Sequence, residues 1–110
     1  MLQRVALKFG CLNIEGGLVQ KFSTPDIQEL VKRHDIFCFI ESWLGPNDTC
    51  PVLNDYISFR SERKNKHKNA RRHSGGILIY CKKEICGGVT KIKSDHSDIQ
   101  WIKLDRSFLV

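Results

Sequence analysis

No stretch of this sequence is apolar for long enough to cross a membrane. Its longest unbroken apolar runs, Ile36–Ile40 and Ile77–Cys81, are five residues each, against the roughly 20 that a helical span needs. A secretory leader is equally hard to find. Lys8 interrupts the apolar start Val5-Ala6-Leu7, and no small-residue cleavage site follows. Five cysteines, at positions 11, 38, 50, 81 and 86, form no Cys-x-x-Cys pair, and their number is odd. That argues against a disulfide framework and against a zinc site. The expectation is free thiols, with Cys11, Cys38 and Cys81 packed as small hydrophobes in strands. The expected compartment is reducing and intracellular, nucleus or cytoplasm, and the chain is not expected to be secreted or bound to a membrane. No internal repeat is present. Between residues 61 and 73 there is no Phe, Trp or Tyr, so base stacking is not expected from that segment.

What the chain does have is a concentrated charge. At 110 residues and 41% hydrophobic it reads as one globular domain or part of one. Its net charge of +6 comes from one place. Arg60, Arg63, Lys64, Lys66, Lys68, Arg71 and Arg72 stand against Glu62 alone, and elsewhere eleven cations balance eleven anions. The segment 61–73 has no hydrophobic periodicity and reads as a basic loop. It is either a solvated charge run or an arm that contacts nucleic-acid phosphate, and the arm is the favoured reading.

The remaining pattern is α/β, mostly one β-sheet with at least one packed helix. Val5 to Ile14 alternates as a strand, with Val5, Leu7, Phe9 and Cys11 on one face. It ends at Asn13-Ile14-Glu15-Gly16-Gly17, a polar residue followed by a glycine turn. A helix follows, with Thr24 as its cap, Pro25 at its first position and Asp26 near the positive end of its dipole. Ile27, Leu30 and Val31 form its apolar face. Ile36–Ile40 then reads as a strand buried on both faces. The connection is long enough for a parallel β-α-β crossover. Gly45-Pro46-Asn47-Asp48 is a loop, and Tyr56–Arg60 and Ile77–Cys81 are further strands. Gly87-Gly88 is a turn, and Asp98–Leu104 is a strand. Phe108-Leu109-Val110 reads as the start of another strand, which is expected of an incomplete domain because domains usually finish in exposed polar segments.

Glu41 follows directly on the buried run 36–40. An ionised carboxylate there needs a compensating partner, and ligands of α/β sheets gather at the carboxyl ends of strands. Asn13 ends the other strand of the same β-α-β unit. Each residue alone could simply mark a turn or the point where a strand meets water. As a pair, an amide oxygen and a carboxylate suit a hard cation such as Mg²⁺.

Taken in order, these segments resemble the endonuclease/exonuclease/phosphatase superfamily. The resemblance rests on Asn13-Ile14-Glu15-Gly16-Gly17-Leu18, Asp35-Ile36 leading to Glu41-Ser42-Trp43, Tyr56 with Arg60, Ser74-Gly75-Gly76-Ile77, and Trp101-Ile102-Lys103-Leu104. It is nearest to the apurinic-type endonuclease domains encoded with reverse transcriptases in long interspersed retroelements. The resemblance implies the N-terminal part of a four-layer α-β-β-α sandwich, one incomplete domain over 1–110. It implies phosphodiester hydrolysis with Mg²⁺ or Mn²⁺, and a metal held by Glu41 with Asn13 lining the site. DNA would be the partner, together with the rest of the endonuclease domain and a reverse transcriptase in a longer parent protein. Arg60, Arg63, Lys64, Lys66, Lys68, Arg71 and Arg72 would contact phosphate, and Trp43 is either the stacking candidate or, equally, a packed core tryptophan.

Two departures matter. Repair relatives commonly carry Gln before the metal-binding Glu, where this chain has Ile40. The family's later motifs, a Gly-Asp-x-Asn segment and a terminal Ser-Asp-His that supply the general base, have no counterpart. Ser94-Asp95-His96 precedes the strand around Trp101 and so stands in the wrong order. The isolated chain is therefore expected to be inactive or nearly so. Rival expectations are a non-catalytic basic module for RNA or DNA, a superfamily member acting on a lipid, an inositol phosphate or a messenger-RNA tail, and a decayed copy of a mobile element.

Overall fold

A computed structural model of the chain describes residues 6–45, 47–61, 75–92 and 100–104, with Trp101 and Leu104 described as backbone alone. Strand β1, Phe9–Asn13, lies parallel to β2, Ile36–Ile40. Their register sets Phe9 opposite Ile36 and Asn13 opposite Ile40. The crossover between them carries two helices, α1 at Leu18–Phe22 and α2 at Pro25–Lys32. Strand β3, Tyr56–Ser61, and strand β4, Ile77–Lys82, follow. β4 inserts between β2 and β3 and is antiparallel to both, giving the order β1-β2-β4-β3. A 3-10 turn at Cys86–Gly88 leads into β5, Val89–Ile92, which pairs antiparallel with β6, Trp101–Leu104, as a separate two-stranded sheet. The protein is thus mixed α/β.

Each face of the main sheet has its own core. On the helical face Leu18 and Phe22 of α1 and Val31 of α2 pack with Phe37, Phe39, Leu78 and Tyr80. Phe22 stacks on Tyr80 at 5.1 Å between ring centroids and meets Phe39 edge-on at 6.1 Å. Val31, Phe39 and Leu78 are fully enclosed, each favouring the fold by about 1.5–3 kcal/mol relative to exposure. On the other face Ile36, Ile79 and Cys81 pack with Ile85, Val89 of β5 and Ile102 of β6. Asp35, only 3% exposed, opens β2. Its carboxylate accepts the Lys8 backbone N–H at 2.7 Å and lies 3.7 Å from the Lys82 ammonium, which compensates its burial. Tyr56 closes the same end, its hydroxyl donating to the His34 carbonyl at 2.7 Å. Burial, then the Asp35 carboxylate, push that phenol up to about 12.

Several expectations need correction. The Thr24 hydroxyl does not cap α2. It donates instead to the Lys21 carbonyl at 2.7 Å and so closes α1, a five-residue helix too short to carry a periodic signal. Phe9 and Cys11 do share a face, but the second core reaches it only in part. Phe9 is 57% exposed and Cys11 is exposed rather than packed. β2 is enclosed from Ile36 to Phe39 apart from half-buried Cys38, while Ile40 is 36% exposed at its end. Strand β5 was not expected. Among the described residues no helix is long and apolar enough to cross a membrane. Val5, Pro46, Ser74, Ser94-Asp95-His96 and Phe108-Leu109-Val110 lie outside the described residues, as does the basic segment apart from Ser61, the last residue of β3.

Candidate functional site

The parallel ladder brings the carboxyl ends of β1 and β2 side by side, with Asn13 paired to Ile40 and Glu41 the next residue along. Beyond that ladder the loops are laced together. The Ile14 N–H donates to the Ile40 carbonyl at 3.0 Å and the Gly16 N–H to the Glu41 carbonyl at 2.7 Å. From the other side the Ser42 and Trp43 N–H groups donate to the Gly76 and Gly75 carbonyls at 3.2 and 2.8 Å. The Glu41–Trp43 segment is therefore held between the glycine turn after β1 and the start of β4. Those bonds sustain an unusual backbone: Glu41 and Trp43 have φ of 57° and 56°. An L-residue in that left-handed region costs roughly 1–2 kcal/mol. Strain of this kind persists only where the surroundings over-determine it.

The turn redirects the Glu41 side chain out of the strand's alternation. The Trp43 indole N–H donates to Glu41 Oε2 at 2.9 Å, a charge-assisted bond that fixes the carboxylate. The indole in turn rests on Gly16. A Cβ built there would lie 1.9 Å from the Trp43 ring at Cε3, so only glycine allows the approach. Glu41 Oε1 carries no hydrogen bond or ion pair to the described residues. Asn13 turns its Oδ1 to the Glu15 N–H at 3.1 Å, the turn role open to it from sequence, and that oxygen has a second lone pair. The Lys21 ammonium reaches back from α1 to the Ile14 carbonyl at 2.6 Å. It brings a positive charge with two further donors to this end of the sheet.

Asn13 and Glu41 are thus brought to neighbouring strand ends, and Trp43 is brought against Glu41. Arg60 has a different setting. Its guanidinium donates to the Gly45 carbonyl at 2.6 Å and the Asp48 carbonyl at 2.7 Å, clamping the loop that follows Trp43. Asp48 returns the tie by accepting the Gly45 N–H at 2.6 Å. Arg63, Lys64, Lys66, Lys68, Arg71 and Arg72 lie outside the described residues. Sequence reasoning missed Lys21, because α1 was not foreseen. It also missed the orienting role of Trp43, although the spacing Glu41-x-Trp43 after a strand end was a usable signal.

Asn13 and Glu41 offer the oxygen donor types that a hard divalent cation takes. One carboxylate oxygen and one amide oxygen remain able to ligate, and Mg²⁺ commonly takes one or two carboxylates and keeps several waters. Among the described residues no group of three His, Cys, Asp or Glu side chains converges. A cleft of about 400 Å³ opens at the opposite end of the sheet, lined by Lys32, Lys82 and Lys83 with Asp55 and Glu84 among others. Comparison of the chain with family models, with curated proteins and with solved structures finds no match.

Proposed function

We propose that this chain is the metal-holding part of a Mg²⁺-dependent phosphodiesterase of the endonuclease/exonuclease/phosphatase kind, a DNA endonuclease of retroelement type. The observation that supports this most is the parallel β1–β2 ladder, which sets Asn13 and Glu41 at adjacent strand ends. Glu41 and Asn13 would hold Mg²⁺ or Mn²⁺, and that ion when bound would stabilise charge on the phosphoryl oxygens as a Lewis acid. Trp43 orients the carboxylate through its indole N–H, and Lys21, held at the Ile14 carbonyl after β1, would offer a phosphate contact at this end of the sheet. The cations from Arg60 to Arg72 add sequence-independent attraction to a polyanion. In this reading the two-stranded β5–β6 sheet belongs to the second sheet of a four-layer sandwich. On this reading the general base would come from outside these residues, and the chain alone is expected to bind without appreciable turnover.

The test is fluorescence anisotropy of duplex DNA with the whole chain, titrated in salt with and without Mg²⁺, for the natural protein and Glu41→Gln. Affinity should fall with salt, log K against log salt sloping by about −0.9 per phosphate contact. Mg²⁺ should strengthen binding in the natural protein and leave Glu41→Gln unchanged. Equal binding by both proteins, indifferent to Mg²⁺, would favour a non-catalytic basic module instead.

A further inference from the structure

Cys11 and Cys38 are direct partners in the parallel β1–β2 ladder. Opposed residues of adjacent strands project from the same face, so the two thiols stand side by side on the sheet. Both are free; Cys11 is exposed and Cys38 half-buried. Adjacent strands lie about 4.7–4.9 Å apart, inside the roughly 4.4–6.8 Å between Cα atoms that a disulfide spans. Joining the pair asks the two Cβ atoms to close to about 3.5–4.5 Å, a local adjustment between directly paired residues.

We propose that Cys11 and Cys38 are a redox pair that closes to an intramolecular disulfide with hydrogen peroxide and reopens with a dithiol. Cys11, open to solvent, meets the oxidant first. Its thiolate attacks one peroxide oxygen; the O–O bond breaks, hydroxide leaves and takes a proton as water, and Cys11 becomes a sulfenic acid. The Cys38 sulfur then attacks Cys11 Sγ. The S–S bond forms, the S–O bond breaks, and the departing hydroxide takes the Cys38 proton as a second water. Two thiols are oxidised and one peroxide is reduced, with nothing left over. A dithiol reverses the step by thiol–disulfide exchange and is itself oxidised to its disulfide. Burial, then the adjacent Cys11, push the Cys38 thiol up to about 12.

The other thiols are placed differently. Cys81 is wholly enclosed, so oxidant does not reach it, and Cys50 lies against Ser58 and Tyr80 at 3.5 and 3.7 Å. The pair stands independently of the metal reading, since neither thiol is among the groups assigned to the ion.

The experiment treats the whole folded chain with hydrogen peroxide, alkylates the remaining thiols, and maps peptides by mass spectrometry without reduction. The expected result is loss of two hydrogens from the intact monomer, carried entirely by a linked Cys11–Cys38 peptide and reversed by dithiothreitol. In Cys38→Ala the linkage disappears and Cys11 is trapped by dimedone as the sulfenic acid. In Cys81→Ser with Cys86→Ser the linkage persists. Three results would overturn the proposal: Cys11 over-oxidised while Cys38 still alkylates, a Cys11-linked dimer, or a linkage mapping to other cysteines. The peptide map of the natural protein decides the matter even where a variant fails to fold.

Discussion

Replacing Gly16 and Gly17 with alanine, one at a time, separates two effects that usually come together. Both residues have positive φ, 77° and 63°, so alanine at either position meets the same backbone penalty of roughly 1–2 kcal/mol. Their surroundings differ. At Gly17 the nearest atom to an added Cβ is the flexible Lys21 Cε at 3.7 Å, whereas at Gly16 the Cβ would sit 1.9, 2.4 and 2.5 Å from three atoms of the Trp43 ring. The indole must then move, which adds an overpacking cost of about 1–3 kcal/mol and breaks its hydrogen bond to Glu41. Gly16→Ala should therefore destabilise by about 2–5 kcal/mol in all, summing the two ranges, and Gly17→Ala by the backbone share alone. Urea unfolding monitored by circular dichroism gives both values from midpoints at constant m. The indole N–H proton resonance of Trp43 reports the lost bond, shifting in Gly16→Ala and holding still in Gly17→Ala. Equal destabilisation by the two variants, or an unmoved indole resonance in Gly16→Ala, would refute the packing of Trp43 on Gly16 and the orienting role built on it.

Other outcomes follow from the same geometry. Trp43→Phe keeps a ring over Gly16 but removes the donor to Glu41, so Mg²⁺ affinity measured by calorimetry should drop at least tenfold, on the order seen when groups supporting a ligand are removed. An unchanged affinity would separate the indole from the metal. Arg60→Lys loses the fork that grips the Gly45 and Asp48 carbonyls and should cost about 1 kcal/mol in urea, with faster amide exchange at Gly45; no change in either would dismiss the clamp. Tyr56 has a folded-state value of about 12 against 10.0 when unfolded. Its neutral form is favoured by folding, so its contribution is complete below pH 10 and is lost as pH rises through 12. Stability of the natural protein should fall across that window, and Tyr56→Phe should flatten part of the fall.

Much of the frame was legible in the sequence because it is written in long-wavelength features. The run Ile36–Ile40 and the run Ile77–Cys81 are apolar enough to be central strands, and they are neighbours in the sheet. Pro25 with Ile27, Leu30 and Val31 marked α2. Glu41 stood out because a carboxylate directly after a buried strand is costly. What was not legible depended on tertiary ties. Nothing in Glu41-Ser42-Trp43 announces a left-handed backbone; it exists because Gly16, Gly75 and Gly76 bond it from both sides. Strand β5 is four residues with one buried side chain, too little for an alternation to register. Arg60 was read by its charge within a basic segment, while its loop partners sit fifteen and twelve positions earlier. The exposure of Cys11 followed from an edge strand whose second face is covered only in part.

The most direct measurement is a titration of the ¹⁵N-labelled protein with Mn²⁺, read as paramagnetic broadening of amide and side-chain resonances. A metal held at the ends of β1 and β2 should broaden Asn13, Glu41 and the Trp43 indole first, and Mg²⁺ in excess or Glu41→Gln should abolish the effect. Broadening centred on Asp55 and Glu84 at the opposite cleft, or a pattern that survives Glu41→Gln, would contradict the assignment of Glu41 as a metal ligand.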